Sequence, residues 1–197
     1  MDEALEKNID TAIWIAKSLF SRNKTSGSSA NMSFRQGNMV YITGSGSCFG
    51  NLKPEDFSSI SIDGTHISGV KPSKEAPLHT MVYKAHNDVN AVIHTHSRYA
   101  VAWSCLKQLP DNVIPDYTPY LKMKLGSVVL VPYEKPGSEE LFKRFEERVH
   151  LAKGFLLKNH GPLAGGNSLM DAFYNLEELE ESCTISWMLR NEEADII

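Results

Sequence analysis

Apolar residues recur at helical spacing over the first 22 residues of the chain, and this spacing predicts an amphipathic helix over residues 3–22. The apolar positions are Leu5, Ile9, Ile13, Ile15, Ala16, Leu19 and Phe20. The pattern then changes to short β-rich runs at Met32–Arg35 and Met39–Thr43, which flank the hairpin signal Gly37-Asn38. The chain is therefore predicted to enter a sheet directly after its first helix.

Strand-like and helix-like periodicities alternate irregularly over the rest of the chain. Helices are predicted over 77–86, 97–105, 138–153 and 168–190, with a helical turn at 54–57. Strands are predicted at 60–62, 66–67, 89–94, 127–132 and 154–157, and a turn at 161–166. Because there is no regular strand–helix–strand repeat, internal repeat or linker, we expect one α+β domain spanning residues 1–197.

Composition narrows the class of protein without naming a function. The 197 residues are 42% hydrophobic and 22% charged, with a formal net charge of −4, which gives no reason to expect nucleic acid binding. No apolar run approaches the roughly 20 residues of a membrane span, and the acidic N-terminus is unlike a signal peptide. Cys48, Cys105 and Cys183 are odd in number and widely spaced, which favours a reducing cytoplasm over a disulfide framework.

Histidines at the end of a predicted strand suggest a metal site. His94 and His96 are two residues apart, so on a strand their side chains point to the same face. Imidazole is the commonest transition-metal ligand, and His160, in a Gly-flanked turn, would supply a third. Three protein ligands leave a zinc ion one open position for chemistry. The alternative is a strand end whose two histidines face solvent.

Polar residues near this pair suggest acid–base chemistry and anion binding. Glu75 would serve as a general base or a metal ligand, or it would simply complement the first turn of a helix capped by Ser73. Two small-residue loops, 24–31 and 44–50, have the composition of a backbone anion site, which includes Ser28. Lys74 would add a charged donor. His79, one helical turn after Glu75, is expected to make structural hydrogen bonds, and the alternative is that it supports the site residues from behind.

Taken together, these motifs resemble the class II aldolase family. The matching blocks occur in family order and are Ser28-Ser-Ala-Asn31, Thr43-Gly-Ser45-Gly46, Pro72-Ser73-Lys74-Glu75, His94-Thr-His96-Ser and Lys158-Asn-His160-Gly. The resemblance implies a three-layer α/β/α fold with a central antiparallel sheet. It also implies a zinc ion on His94, His96 and His160, with Mn²⁺ or Co²⁺ as alternatives.

The same resemblance assigns roles to other residues. It implies that Glu75 is the catalytic acid/base, which also approaches the metal, and that Asn31, Ser45, Gly46 and Ser73 hold a substrate phosphate. Family members are usually homotetramers with active sites between subunits. A tyrosine from a neighbouring subunit often donates a proton, and we expect Tyr120 to fill that role.

Departures from the sugar-phosphate aldolases point to one branch of the family. Lys74 stands where those aldolases usually carry Ser, and the segment 118–138 is also unlike theirs. Both features resemble the branch that decarboxylates 3-oxo-tetronate 4-phosphate to dihydroxyacetone phosphate. The alternatives are a sugar-phosphate aldolase or pentulose-phosphate 4-epimerase, and a non-catalytic adducin-like interaction domain.

The chemistry makes a change from aldolase to decarboxylase plausible. Retro-aldol cleavage and decarboxylation of a β-keto acid both leave an electron pair beside a carbonyl group, where a Lewis acid stabilises it. In the decarboxylase, Lys74 would hold the carboxylate and Glu75 would return a proton. Elsewhere, His66, His86 and His150 are expected to face solvent, as is the Glu-rich run 177–181.

Overall fold

One mixed sheet forms the centre of the computed structural model, which describes residues 3–107, 109 and 113–197. Within these ranges the strands are β1 (Asn31–Gln36), β2 (Met39–Thr43), β3 (Phe57–Ser61), β4 (His66–Gly69), β5 (Ala91–His94), β6 (Val128–Val131), β7 (Gly154–Leu157) and β8 (Gly161–Gly166). Their order across the sheet is β4-β3-β2-β1-β5-β8-β7-β6. All neighbouring strands are antiparallel except β6 and β7, which are parallel.

Helices cover both faces of this sheet. They are α1 (Glu3–Ser21), α2 (Ala76–Ala85), α3 (Arg98–Ser104), α4 (Tyr120–Leu125), α5 (Glu139–Glu146) and α6 (Leu169–Leu189). Alternation along β5 shows the two layers, because Ile93 joins the core beneath α1 and α6 whereas Val92 joins the core beneath α2 and α5. The predicted α/β/α arrangement is therefore confirmed. None of the helices in the described ranges is both long and apolar enough to cross a membrane.

Most predicted elements are present, but the predicted turn at 161–166 is wrong. This segment is strand β8, which lies between β5 and β7 and is buried along its whole length. Its glycines reflect close packing and not a turn, since a Cβ at Gly166 would lie 2.3 Å from the Ala172 nitrogen.

Other elements also differ from the sequence pattern. The helix predicted over 138–153 ends at Glu146 and is followed by a separate 3₁₀ turn, Val149–Leu151. The strand before His94 begins at Ala91, and the short helix α4 was not predicted.

The topology brings three distant segments to one end of β5. His94 is the last residue of β5 and lies opposite Asn31, the first residue of β1. The turn between β7 and β8 carries His160, and Gly161 allows it to approach, because a Cβ there would lie 2.3 Å from the Thr95 carbonyl oxygen. Glu75 immediately precedes α2.

Candidate active site

Three histidine side chains form a cluster at the end of β5. The ring centroids of His94, His96 and His160 are 4.8–5.1 Å apart, and one ligand nitrogen from each lies within 4.8 Å of the others. The two closest, His94 Nε2 and His160 Nε2, are 3.2 Å apart. His94 and His96 therefore lie together, although β5 ends at His94 and His96 lies in the irregular segment that follows.

The protonation of this cluster suits metal binding. His94 Nδ1 donates a hydrogen bond to the Pro162 carbonyl oxygen at 2.8 Å, which leaves the Nε2 lone pair directed at the cluster. Burial, followed by the neighbouring His96, lowers the pKa of His94 well below its usual value. Burial also lowers the pKa of His96, and burial together with His94 lowers that of His160 to about 3. All three are therefore neutral at pH 7, the form that binds metal.

Glu75 completes a set of electron donors for a cation. Its Oε2 lies 3.5 Å from His94 Nε2, and its Oε1 lies 3.4 Å from His160 Nε2. Among the described residues, Glu75 Oε1 and His96 Nε2 are buried without a hydrogen-bond partner. The 3.2 Å between His94 Nε2 and His160 Nε2 is close to the edge of about 3.3 Å expected for a tetrahedron with zinc–nitrogen bonds of 2.0–2.1 Å. These residues fit a divalent metal.

Glu75 does not act as a helix cap. It occupies the N-cap position of α2, but its side chain makes no capping hydrogen bond. The carboxylate instead accepts a hydrogen bond from Asn31 Nδ2 at 2.9 Å, and Ser73 Oγ accepts one from the Glu75 backbone nitrogen at 3.3 Å. The Glu75 carboxylate therefore contacts Asn31 and the histidines and makes no capping hydrogen bond to α2.

A cavity of about 300 Å³ opens beside the histidines. It is lined by both small-residue loops, by the segment that carries Glu75, and by two of the histidines. These residues are Ser28, Ser29, Ala30, Asn31, Gly44, Ser45, Gly46, Ser73, Lys74, Glu75, His96, Pro136 and His160. Every residue predicted to bind phosphate lines this one cavity, whereas His94 lies fully buried.

Backbone conformation shapes two parts of this cavity. Gly46 has φ +81°, a left-handed conformation that glycine adopts without strain. Gly137, with φ +76°, lies under the stem of Lys74, and a Cβ there would come within 2.8 Å of Lys74 Cδ. The absence of a side chain at Gly137 therefore leaves room for Lys74 beside the cavity.

Tyr120 is not brought to this cavity within its own chain. It is the first residue of α4, is 58% exposed, and is not among the cavity-lining residues. Its role as a proton donor from a neighbouring subunit stays a prediction.

Some contributors were missed by sequence reasoning. A second cavity of about 540 Å³ adjoins the first through His96, His160 and Pro136, and it also includes Arg98 and Asn159. No motif signalled Arg98, because its position depends on where α3 begins.

Several residues expected to face solvent are partly or wholly buried, among them Glu180 and His86. Glu180 of α6 is only 2% exposed and accepts hydrogen bonds from Ser97 Oγ, Tyr99 N and Ala100 N. It therefore anchors the first residues of α3. His86 is partly buried and hydrogen-bonds the Val149 carbonyl oxygen at 2.7 Å. His66 and His150 are exposed, as predicted.

The fold and site define a class of protein in which three histidines and a carboxylate adjoin a polar cavity on a mixed sheet. The chain belongs to the Class II Aldolase and Adducin N-terminal domain family, which it matches over residues 11–187. This finding confirms the family predicted from the sequence motifs.

Individual relatives support the same family. The chain is 42% identical over 178 residues to 3-oxo-tetronate 4-phosphate decarboxylase of Escherichia coli K12, covering 89% of this chain and 84% of the relative. It is 36% identical over 178 residues to L-fuculose phosphate aldolase of Methanocaldococcus jannaschii, covering 88% and 92%. The crystal structure of YgbL from Escherichia coli superposes with a TM-score of 0.92 at 37% identity, covering 96% and 92%.

Proposed function

We propose that this protein is a metal-dependent lyase that removes CO₂ from 3-oxo-tetronate 4-phosphate and releases dihydroxyacetone phosphate. The proposal rests on one cavity. Residues of the small-residue loops 24–31 and 44–50 line it together with Lys74, Glu75 and two histidines of the cluster. The decarboxylase relative from Escherichia coli, at 42% identity, supports the choice of substrate.

Substrate binding is assigned to the polar end of the cavity. The hydroxyl groups of Ser28, Ser45 and Ser73, the loop at Gly46 and the amide of Asn31 surround a space suited to a phosphate. These are short donors on turns, so the protein needs no large basic patch to bind the anion.

Lys74 adds a full positive charge to the same cavity. Burial is the main reason that the pKa values of His96 and His160 are low, and the Lys74 charge lowers both further, which indicates that its ammonium group lies near them. A keto-acid phosphate carries one more anionic group than a neutral sugar phosphate. We propose that the Lys74 ammonium group binds these anionic groups of the substrate.

Glu75 is assigned the proton transfer. When the bond between the carboxyl carbon and its neighbour breaks, CO₂ departs and the electron pair stays on that neighbouring carbon. Glu75 then delivers a proton to this carbon, which completes the product. Its Oε2 is held by Asn31, and its Oε1 has no hydrogen-bond partner in the described parts of the chain. One oxygen of the carboxylate is therefore available for the proton.

The metal is assigned to His94, His96 and His160, with Glu75 nearby. When bound, a divalent metal would supply Lewis-acid stabilisation of the negative charge that develops on the substrate. We propose zinc, because three neutral imidazoles that leave an open position suit it, with Mn²⁺ or Co²⁺ as alternatives.

Replacing Lys74 tests the choice between decarboxylase and aldolase. A hydrogen bond to a charged group is worth about 1.5–3 kcal/mol, so Lys74→Ser should lower kcat/KM for 3-oxo-tetronate 4-phosphate roughly 10- to 150-fold. Cleavage of a neutral sugar 1-phosphate should change much less. Lys71→Ser is the matched control, because Lys71 is exposed and does not line the cavity.

The wild-type protein provides the decisive comparison. Brisk cleavage of fuculose 1-phosphate, with no CO₂ released from the keto acid, would contradict the decarboxylase assignment. That result would favour the second candidate, a sugar-phosphate aldolase, which the 36% identity to the Methanocaldococcus jannaschii aldolase supports. The assembled histidines and Glu75 argue against a non-catalytic adducin-like role.

We also propose a homotetramer in a reducing compartment such as the cytoplasm. Support for assembly comes from the family and from exposed apolar side chains including Trp14, Tyr120, Met123 and Met188. The free thiols of Cys48, Cys105 and Cys183 support a reducing compartment. Light scattering tests the assembly, and a mass of 22.0 kDa at micromolar concentration would contradict it.

A further inference from the structure

A chain of buried hydrogen bonds runs from Glu75 into the interior of the sheet. Asn31 Nδ2 donates to Glu75 Oε2 at 2.9 Å, and Asn31 Oδ1 lies 2.6 Å from His79 Nε2. His79 Nδ1 lies 2.7 Å from Ser33 Oγ, which in turn lies 2.7 Å from the hydroxyl of Tyr83. All five side chains are buried.

The donor and acceptor of each hydrogen bond in this series follow from the Asn31 contact with Glu75, because Asn31 Nδ2 donates to Glu75 and its carbonyl oxygen then faces His79. Burial is the main effect on His79 and lowers its pKa to about 4, so its imidazole is neutral at pH 7 and carries one N–H. The Asn31 carbonyl oxygen only accepts, so the His79 proton must be on Nε2. Nδ1 must then accept from Ser33, and the Ser33 oxygen must accept from Tyr83. Burial raises the pKa of Tyr83, which keeps its hydroxyl protonated.

This direction has a consequence for the catalytic carboxylate. If the Asn31 amide were rotated by 180°, its NH₂ group would face the His79 N–H and its carbonyl would face Glu75. The contact with the Glu75 carboxylate would then be repulsive, and so would the contact with His79 unless its proton moved to Nδ1 and the Ser33 hydrogen bonds reversed. Glu75 Oε2 and the Nε2–H form of His79 together therefore hold the orientation in which the Asn31 NH₂ group donates to Glu75 Oε2 and Oε1 is left free.

We infer that His79 is a positioning residue for Glu75, acting through the Asn31 amide. This inference rests on the proposed function, because it assumes that Glu75 transfers the proton. His79 does not line the cavity and is fully buried, so it does not touch the substrate. The last side chain in this series of hydrogen bonds is Tyr83, which is 1% exposed. The series therefore orients Glu75 and does not conduct protons to solvent.

Two isosteric substitutions separate positioning from general structural support. In His79→Gln the side-chain amide can reach the Nε2 position and still donate to Asn31. In His79→Asn the side chain is shorter and can occupy only the Nδ1 position, so the contact with Ser33 is kept and the contact with Asn31 is lost. Both variants bury an uncharged polar group at the same site.

The first measurement is turnover of 3-oxo-tetronate 4-phosphate per folded, metal-loaded enzyme. Loss of a residue that orients a catalytic group typically lowers activity about 10- to 100-fold, and we expect that loss for His79→Asn with recovery to within about threefold for His79→Gln. In the double variant Asn31→Ala/His79→Asn, the second substitution should add little to the first, because both act on one interaction. Equal activity of both His79 variants, or fully additive losses, would overturn the inference.

The second measurement needs no substrate. The ¹⁵N NMR shifts of His79 in the metal-loaded protein at pH 7 should report a neutral ring protonated at Nε2. A ring protonated at Nδ1, or a charged ring, would overturn the inference even if the protein leaves the keto acid untouched. Turnover of Glu75→Gln, measured in parallel, distinguishes failure of the His79 inference from failure of the proposed function. A normal rate there removes Glu75 from catalysis, and with it both the proton step of the proposed function and the role of His79.

Discussion

Removal of the Glu180 carboxyl group should strongly destabilise the protein. Glu180 lies on α6, 83 residues beyond Ser97, and accepts hydrogen bonds from Ser97 Oγ at 2.6 Å, Ala100 N at 2.8 Å and Tyr99 N at 3.2 Å. The Lys24 ammonium group lies 3.8 Å from its Oε1. Ser97 is at the N-cap position of α3 but makes no capping bond of its own, so Glu180 supplies the cap from another helix.

The magnitude follows from the donors that would lose their acceptor. Each buried donor left without a partner costs about 1–3 kcal/mol. Ser97 and Ala100 are buried, whereas Tyr99 is partly exposed and can recruit water. For Glu180→Ala we therefore expect a loss of about 3–5 kcal/mol, close to the range for breaking a buried charged pair. Glu180→Gln keeps one acceptor oxygen and should lose about 1.5–3 kcal/mol.

Urea unfolding of the protein as purified, followed by circular dichroism with metal content measured alongside, gives these values. Glu181→Ala is the matched control, since Glu181 is the next residue on the same helix and is exposed. It should change the free energy of unfolding by no more than about 0.5 kcal/mol. If Glu180→Ala were as mild as Glu181→Ala, the argument that α6 caps α3 would be refuted.

Two predictions concern the metal centre and the acid–base group. We expect roughly one equivalent of divalent metal per chain, and His94→Ala should lose most of it because the substitution removes one of three protein ligands. Metal analysis of protein purified without chelator measures the loss. Full retention of metal would contradict the ligand assignment. Glu75→Gln should lower turnover by about 10²–10⁴-fold, because the amide cannot exchange the proton. Metal content should stay near that of the wild type. Steady-state kinetics measures the loss, and an unchanged rate would leave Glu75 without a catalytic role.

Local rules explain why much of the site could be predicted without coordinates. The two-residue spacing of His94 and His96 predicted that they lie together, and their ring centroids are 5.1 Å apart although β5 ends at His94. The two small-residue loops flank one hairpin, so the chain returns each of them to the same end of the sheet. Motif order then identified the family, which the match over residues 11–187 confirms.

The errors have a common physical origin in contacts between distant segments. Glycine favours turns locally, but in β8 it permits the close approach of α6 to the sheet, so the local preference gave the wrong element at 161–166. A Glu-rich helical run is usually solvated, yet Glu180 is buried because the start of α3 offers it hydrogen-bond donors.

The sequence by itself determined the periodic elements, the family and the identities of the chemical groups, because these depend on spacing along a short stretch of chain. Only the tertiary structure decided which way those groups face. His160 reaches His94, 66 residues earlier in the chain, because β8 pairs with β5, and Glu75 is held by an asparagine 44 residues before it. Burial then keeps the histidines neutral, a property that no single residue carries and that the packed interior imposes on them.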